Sequence, residues 1–401
     1  MKIGVYFGSD ISSGGGFQYV LKTINILNNI NDHNFEFKYF THRKKINEYK
    51  NLGIKVEYIQ LNYIDKLSLR IRKFLKIYVT RDNFLIKFFK NKIEFIFKKF
   101  DIDLVYFLEP TEISLFMEDT NFITTVWDLA HRDFVEFSEV RSNFEFDIRE
   151  RIYVNTLKKA IAVLTDSYLG KQNIIRRYGV DEKRVYIAKF TATLQSIVGQ
   201  KFIDVRNKFR IKNDYIYYPA QFWSHKNHIY ILDAIKIIKE KFNIIIDAVF
   251  TGNDYGNLNY ILDYSRKIGV NEQIYYLGFV ESELITNLYK QSMALVMPTY
   301  FGPTNLPPLE AFSLGVPVFY SDLGGLREQV GDAAILININ NPEDLAIKLL
   351  KLIKNEISKD ELIAKGKNKL REFTDNDFAN IIIDILNEYK IKLKCWKDID
   401  C

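Results

Sequence analysis

The sequence predicts an α/β protein made of two doubly wound parallel-sheet domains that face each other across a cleft. Short apolar runs alternate with helix-period stretches along the whole chain, as expected when parallel strands are joined by helical crossovers. The 401 residues exceed what one ordinary core accommodates and suit two. Between about residues 190 and 213 the alternation lapses, which places the domain junction there.

In the first half, β-branched and aromatic clusters predict strands at 2–7, 35–40, 55–59, 104–108, 123–126 and 162–165. Helices are expected at 17–28, in a basic stretch from 65 to 100, at 143–159 and at 170–178. A second series follows, with strands at 216–219, 244–251, 274–277, 294–297 and 316–320. Its helices are expected at 227–241, 255–268, 281–291 and 342–354, with another between Thr304-Asn305 and Gly315 and a further element at 326–331. The amphipathic segment 375–393 is expected to cross back and brace the first domain. The domains so defined are 1–195, 196–374 and a crossing tail 375–401. A cleft between two such sheets is the default place for a nucleotide.

With 47% hydrophobic and 26% charged residues, the composition is that of a folded globular protein and excludes a disordered one. No uncharged apolar run reaches the ~18 residues that a spanning helix needs. The start, MKIGVYFGSD, turns polar too soon for a signal peptide and reads as a first strand. Cys395 and Cys401 suit neither a disulfide framework nor a zinc site, so a reducing cytoplasm is expected. The net charge is +6, yet residues 65–100 alone carry 11 Lys and Arg against three acids. Within them Phe84, Leu85, Phe88, Phe89, Ile93, Ile96, Phe97 and Phe100 recur at helical spacing between Lys87, Lys90, Lys98 and Lys99. Such a stretch suits an anionic bilayer surface or a helix packed on its own domain with a solvated basic face. Nucleic acid is disfavoured, because no recognised module accompanies the charge.

The most informative segment is residues 300–318, Tyr-Phe-Gly-Pro-Thr-Asn-Leu-Pro-Pro-Leu-Glu-Ala-Phe-Ser-Leu-Gly-Val-Pro-Val. Thr304 and Asn305 can cap a helix, Pro307 and Pro308 fall where a missing amide costs little, and Gly315 stops it. The amides of Thr304, Asn305 and Leu306 then form an anion site, while Glu310, one turn deeper, suits a sugar diol. Diphosphate at the amides and ribose at the carboxylate describe a nucleotide. Taken alone, the segment more often marks an ordinary capped helix with an exposed Glu.

Three further segments bear on chemistry. Ser12-Ser13-Gly14-Gly15-Gly16 follows the first strand, allowing close backbone approach to a ligand without the spacing of a dinucleotide fingerprint. A plain flexible turn fits it too. Lys226 in Gln221-Phe222-Trp223-Ser224-His225-Lys226 stands just before a helix, where the dipole disfavours a cation unless an anion joins it. Asp128, His131 and Arg132 follow the strand at 123–126 and are expected to face the cleft, binding hydroxyls or moving protons, or else to form a loop ion pair. His225 and His228 lack a third ligand, so no metal is expected.

Together the blocks YYPAQFWSHKNH, IYYLGFVESELITNLYKQS, YFGPTNLPPLEAFSLGVPVFYSDLGGLREQVGDAA and TTVWDLAHRDF resemble glycosyltransferase family 4. The resemblance covers nearly the whole chain and is strongest from about 215 to 336. It implies the GT-B fold, with two Rossmann-like domains, an acceptor side and a nucleotide-sugar side. It also implies a retaining hexosyl transfer from a nucleotide-sugar, GDP-mannose or a UDP-sugar, to a glycan or lipid-linked glycan in bacterial surface-polysaccharide or lipopolysaccharide synthesis. Neither a metal nor another cofactor is implied, and the basic stretch then suits a peripheral enzyme on the cytoplasmic membrane face.

By the resemblance, Glu310 matches the second glutamate of the paired-glutamate motif, associated with the donor ribose, and Lys226 the residue that contacts the diphosphate. Gly278, Phe279 and Val280 fall where a loop lies against the base, Glu328 matches an acid after the GG turn, and Gly14 to Gly16 match the glycine loop near the donor. Three positions depart from the pattern. Gly302 stands at the first glutamate, Gln221 at an expected arginine, and Trp127 at an expected histidine, with His131 the nearest imidazole. A GT-B-like epimerase or phosphorylase, or a catalytically silent nucleotide-sugar-binding subunit, are the competing readings.

Overall fold

The structure, a computed structural model, describes residues 1–9, 15–42, 46–78, 88–193, 201–302 and 304–398. Two wholly parallel sheets form its frame, as the alternation in sequence predicts. The first contains β1 (Lys2–Tyr6), β2 (Glu36–Thr41), β3 (Val56–Tyr58), β4 (Leu104–Phe107), β5 (Asn121–Val126), β6 (Ala162–Thr165) and β7 (Val185–Ile187). They lie in the order β3-β2-β1-β4-β5-β6-β7, with Tyr6 in register with Phe40 on one side and Phe107 on the other. The second contains β8 (Tyr215–Pro219), β9 (Asp247–Thr251), β10 (Ile274–Tyr276), β11 (Ala294–Met297), β12 (Val318–Ser321) and β13 (Ile335–Ile337), ordered β10-β9-β8-β11-β12-β13.

The central strands read as continuous apolar runs because helices cover both faces of each sheet. Ile3, Val5 and Leu104 pack on one face of the first sheet, Tyr6, Val105 and Phe107 on the other. Each sheet reverses its strand order once, between β1 and β4 and between β8 and β11. The loops at those carboxyl ends diverge and leave a crevice, the usual ligand position of doubly wound sheets.

The helix Asp375–Leu393 opens on a capping box between Thr374 and Asp377. It returns to the first domain, where Phe378, Ile382, Ile385, Leu386, Tyr389 and Leu393 join the core of Ile3 and Val5. The Tyr389 hydroxyl donates to the Asp103 carbonyl at 3.1 Å, and Lys22 pairs with Asp375 at 2.7 Å.

The basic stretch contains two helices, Tyr63–Tyr78 and Lys92–Lys99, where the pattern had suggested one continuous amphipathic run. Phe84, Leu85 and Lys87 lie outside the described residues. Asn91 interrupts the run by capping the second helix, its side chain accepting from the Glu94 amide at 3.3 Å. Ile93 and Phe97 are fully buried, whereas Tyr63, Ile64, Leu67, Phe74, Phe88 and Phe95 are exposed. Among the described residues, no helix is long and apolar enough to cross a membrane.

Candidate active site

A cavity of about 440 Å³ opens between the carboxyl edges of the two sheets. From the first domain it takes Gly15 and Gly16, at the start of the helix Gly15–Asn28, and Trp127 and Asp128, just after β5. From the second it takes Gln221 and Lys226 after β8, Phe279 and Val280 after β10, and Thr304, Asn305 and Leu306 at a helix start. Gly14 lies outside the described residues. Gly278, at φ +66°, turns the chain ahead of Phe279, and its carbonyl accepts from the Gly252 amide at 2.9 Å. A Cβ on Gly16 would stand 3.0 Å from the Trp127 ring, so the indole rests directly on the glycine backbone.

The second-domain wall is built for an anion. Lys226 ends the turn Ser224–Lys226, and among the described residues its Nζ has one hydrogen-bond acceptor, Asn305 Oδ1 at 3.4 Å. Burial lowers the ammonium pKa to about 8, a shift that Asp128 and Glu139 offset only in part. Opposite it, Asn305 holds the N-cap position of the helix Leu306–Leu314 without a side-chain capping bond, its Nδ2 donating to the Gly302 carbonyl and the Tyr320 hydroxyl instead. One expected anion-binding amide is already engaged, because the Asn305 N–H donates to Gln329 Oε1 at 3.0 Å. That leaves Thr304 and Leu306 to face an anion, while the Thr304 hydroxyl donates to Asp166 of the first domain.

Glu310 lies on this helix but not on the cavity wall. Its Oε1 accepts from the Thr193 hydroxyl at 2.6 Å and its Oε2 from the Tyr289 hydroxyl at 3.1 Å. Burial raises its pKa against the pull of both hydroxyls. The carboxylate is therefore held one layer behind the cavity, with the interdomain segment at Thr193 against it.

Asp128 and His131 part company. Asp128 lines the cavity and accepts from Arg149 Nη1 at 2.8 Å and from the Ala130 amide at 2.9 Å. Burial opposes its ionisation, but Arg149 and the amide outweigh burial and hold the carboxyl below its usual range. His131 does not face the cleft as expected. The short helix Ala130–Asp133 turns its ring inward, where it is 0% exposed and bonds Glu150 Oε1 at 2.7 Å. Arg132 is committed to the same Glu150 carboxylate. Burial lowers the His131 pKa despite Glu150.

Glu328 is likewise away from the donor-side cavity. Its carboxylate crosses to the first domain and accepts from the Tyr168 and Leu169 amides at 2.7 and 3.2 Å, at the start of the helix Tyr168–Tyr178. Motif matching could not anticipate this, because the partner helix lies 160 residues away.

Two features escaped sequence reasoning. Arg149, the partner that keeps Asp128 ionised, sits 21 residues later on the helix Glu145–Thr156 and belongs to no motif. A second cavity of about 340 Å³ adjoins the first and shares Asp128, Phe301 and Gly302 with it. Gly302 has φ +98°, and a Cβ there would come within 3.1 Å of the Asn305 side-chain carboxamide, so the position is shaped for glycine. Among the described residues, no three His, Cys, Asp or Glu side chains converge as a metal site would require.

Comparison with known proteins agrees with this architecture. Residues 200–369 match the family model "Glycosyl transferases group 1". The O-antigen chain mannosyltransferase B of Escherichia coli is 25% identical over 246 residues, 60% of this chain and 64% of that protein. The O-antigen chain mannosyltransferase RfbU of Salmonella typhimurium is 25% identical over 206 residues, 51% of this chain and 55% of its own length. The matches thus span about half to two thirds of these relatives. Among solved structures, a glycosyltransferase from Rickettsia africae superposes with a TM-score of 0.67 at 14% identity, covering 96% of this chain and 98% of that one. The Anabaena protein HepE, solved with UDP and glucose, gives 0.70 at 13% identity, covering 97% and 100%. The fold is the GT-B arrangement, and the sequence comparisons support a glycosyltransferase.

Proposed function

We propose that the chain is a retaining glycosyltransferase of family 4 that moves a hexose from a nucleotide-sugar to a glycan hydroxyl in surface-polysaccharide synthesis. One observation carries this reading: an under-compensated half-buried ammonium, a helix start, a glycine backbone and an ionised aspartate converge on one interdomain cavity. The diphosphate would lie between Lys226 and the amides of Thr304 and Leu306, with the base near Phe279 and Val280. Glu310 would receive the ribose once Thr193 yields. The names of the relatives favour a mannosyl donor, for which GDP-mannose is the candidate, and UDP in the HepE structure keeps UDP-sugars in the panel.

As the bond from the anomeric carbon to the diphosphate breaks, negative charge grows on the departing oxygen. Lys226 and the helix-start amides stabilise it, an electrostatic contribution already in place before reaction. The acceptor hydroxyl attacks from the leaving-group face and passes its proton to the departing phosphate oxygen. The second cavity would hold the acceptor, with Asp128, which borders both spaces, orienting the attacking hydroxyl. A thermal-shift screen of nucleotide-sugars, followed by transfer to glycan acceptors with the product anomer read by NMR, tests this. Stabilisation by no nucleotide would refute it, an inverted anomer would refute retention, and binding without turnover would favour the silent subunit.

The exposed Tyr63, Ile64, Leu67 and Phe74, with Lys66 and Arg70 among them, would lie on an anionic membrane face, keeping the enzyme near lipid-linked acceptors. Replacing Ile64, Leu67, Lys66 and Arg70 by Gln is expected to release the protein from vesicles of phosphatidylglycerol and phosphatidylcholine. Unchanged retention would exclude this surface.

A further inference from the structure

With His131 turned inward, the imidazole of the cleft is His225, the only one of the five histidines on the wall of the 440 Å³ cavity. It belongs to the second domain, beside Lys226, yet its partner belongs to the first. Glu139, on the turn Ser138–Val140, uses Oε1 to accept from the His225 amide at 2.9 Å and from its Nδ1 at 2.7 Å. The two side chains are 6% and 9% exposed. The Phe301 ring stacks on the imidazole with centroids 3.7 Å apart and planes 15° apart, and Phe137 meets it edge-on. Position, plane and rotation of the ring are therefore all fixed, and by groups from both domains.

The protonation state follows from the same contacts. Burial opposes the Glu139 charge, but the His225 hydrogen bonds hold its pKa down to about 2. Burial and Lys226 hold His225 down to about 4, although Glu139 pulls the other way. At neutral pH the pair is a carboxylate and a neutral imidazole. Such a ring has one donor and one acceptor nitrogen, and the carboxylate claims the donor at Nδ1. Nε2 is left as an acceptor, it is not sealed from solvent, and no described protein group donates to it.

We propose that Glu139 and His225 form a dyad assembled across the cleft. Glu139 is a positioning residue that fixes the imidazole tautomer, and His225 Nε2 accepts a hydrogen bond from a hydroxyl of the transferred sugar. The sugar is the donor's rather than the acceptor's, because His225 borders the Lys226 cavity and not the second one. Since the two residues come from different domains, the acceptor nitrogen is aimed only when the domains close. The inference rests on the nucleotide-sugar reading above.

The test uses the full-length protein and the nucleotide-sugar it turns over, with singly deoxygenated versions of that donor. His225→Ala is expected to lower kcat/KM about tenfold or more for the intact donor, the size of one lost hydrogen bond. One deoxy-donor should lose about as much with the wild type and then show no further loss with His225→Ala. In 15N spectra of the imidazole, the wild type should show the Nδ1–H tautomer and Glu139→Leu, which removes the acceptor, a shift from it, with kcat falling more than donor KM rises. A tautomer unchanged in Glu139→Leu, or a His225→Ala loss shared equally by every deoxy-donor, would overturn the dyad. Calorimetry with UDP and GDP separates the two levels: if no nucleotide binds the wild type, the functional reading itself has failed.

Discussion

Lys226 offers the most quantitative test of the proposed site. Without ligand its pKa is lowered by burial from 10.5 to about 8. A bound diphosphate would restore the charged form, so binding above pH 8 must take up a proton. If the bound pKa returns to its ordinary value, nucleotide affinity falls about tenfold between pH 7 and pH 9, with uptake of about 0.9 proton at pH 9. Titration calorimetry with UDP and GDP in buffers of different ionisation enthalpy reads both quantities. Lys226→Met should bind about 10- to 100-fold more weakly at pH 7, the size of a charge-assisted hydrogen bond, and should lose the additional pH dependence. Ionisation of the nucleotide itself is common to both proteins and cancels in their ratio. The same shift has an opposite consequence for the ligand-free fold. Below pH 8 the folded state holds a charge it disfavours, and this penalty fades as pH rises towards 10.5. Lys226→Met should therefore be more stable without ligand at pH 7, by at most about 3 kcal/mol. Equal pH slopes in wild type and Lys226→Met would refute the assignment.

Three more outcomes are expected. Glu310→Gln should weaken UDP or GDP binding about tenfold while leaving the 2′,3′-dideoxy nucleotide unaffected; calorimetry in which the wild type binds both forms equally would exclude the ribose role. Arg149→Met leaves the Asp128 charge unpaired and should cost about 2 kcal/mol in urea denaturation at pH 7. Asp128 contributes its stability above its unfolded pKa and loses it as pH falls through the lower folded value, so the difference should narrow below about pH 4. Burial raises the Asp166 pKa from 3.8 to about 7, so this residue costs stability as pH rises through that window. Asp166→Asn should accordingly raise the melting temperature more at pH 8 than at pH 5, with Asn Oδ1 still accepting from Thr304.

What the sequence conveyed, and what it withheld, divides along physical lines. Strands β1, β4, β8 and β11 are apolar runs buried on both faces, a pattern that composition alone reveals. Strands β7 and β13, three residues each at the edge of their sheets, went unrecognised, although β3 and β10, equally short, were read. The helix Lys359–Arg371 was missed because its sequence KDELIAKGKNKLR buries little beyond Leu362 and Gly366. At the site, Lys226, Asp128 and the helix at Leu306 were legible because turn and cap chemistry is local. The inward turn of His131, the Glu328 contact with Tyr168 and the pairing of Glu139 with His225 join segments 19 to 160 residues apart. No local signal encodes such partners.

Apart from His131 with Glu150, which lies within the first domain, these distant contacts bridge the two domains. Thr304 donates to Asp166, Glu328 accepts from the Tyr168 and Leu169 amides, and Glu139 accepts from His225. Thr304 belongs to the anion-binding loop, and His225 adjoins Lys226. Opening the domains would free these groups to water, each bond being worth about 1 kcal/mol net. The five hydrogen bonds of these bridges contribute a closing bias of a few kcal/mol, the Phe134 and Phe137 rings against Tyr300 and Phe301 add to it, and a donor's own contacts would add more. Closure and assembly of the site are then one event. It brings Asp128 and the Gly15–Gly16 backbone of one domain against Lys226 of the other, and it aims His225 as it does so.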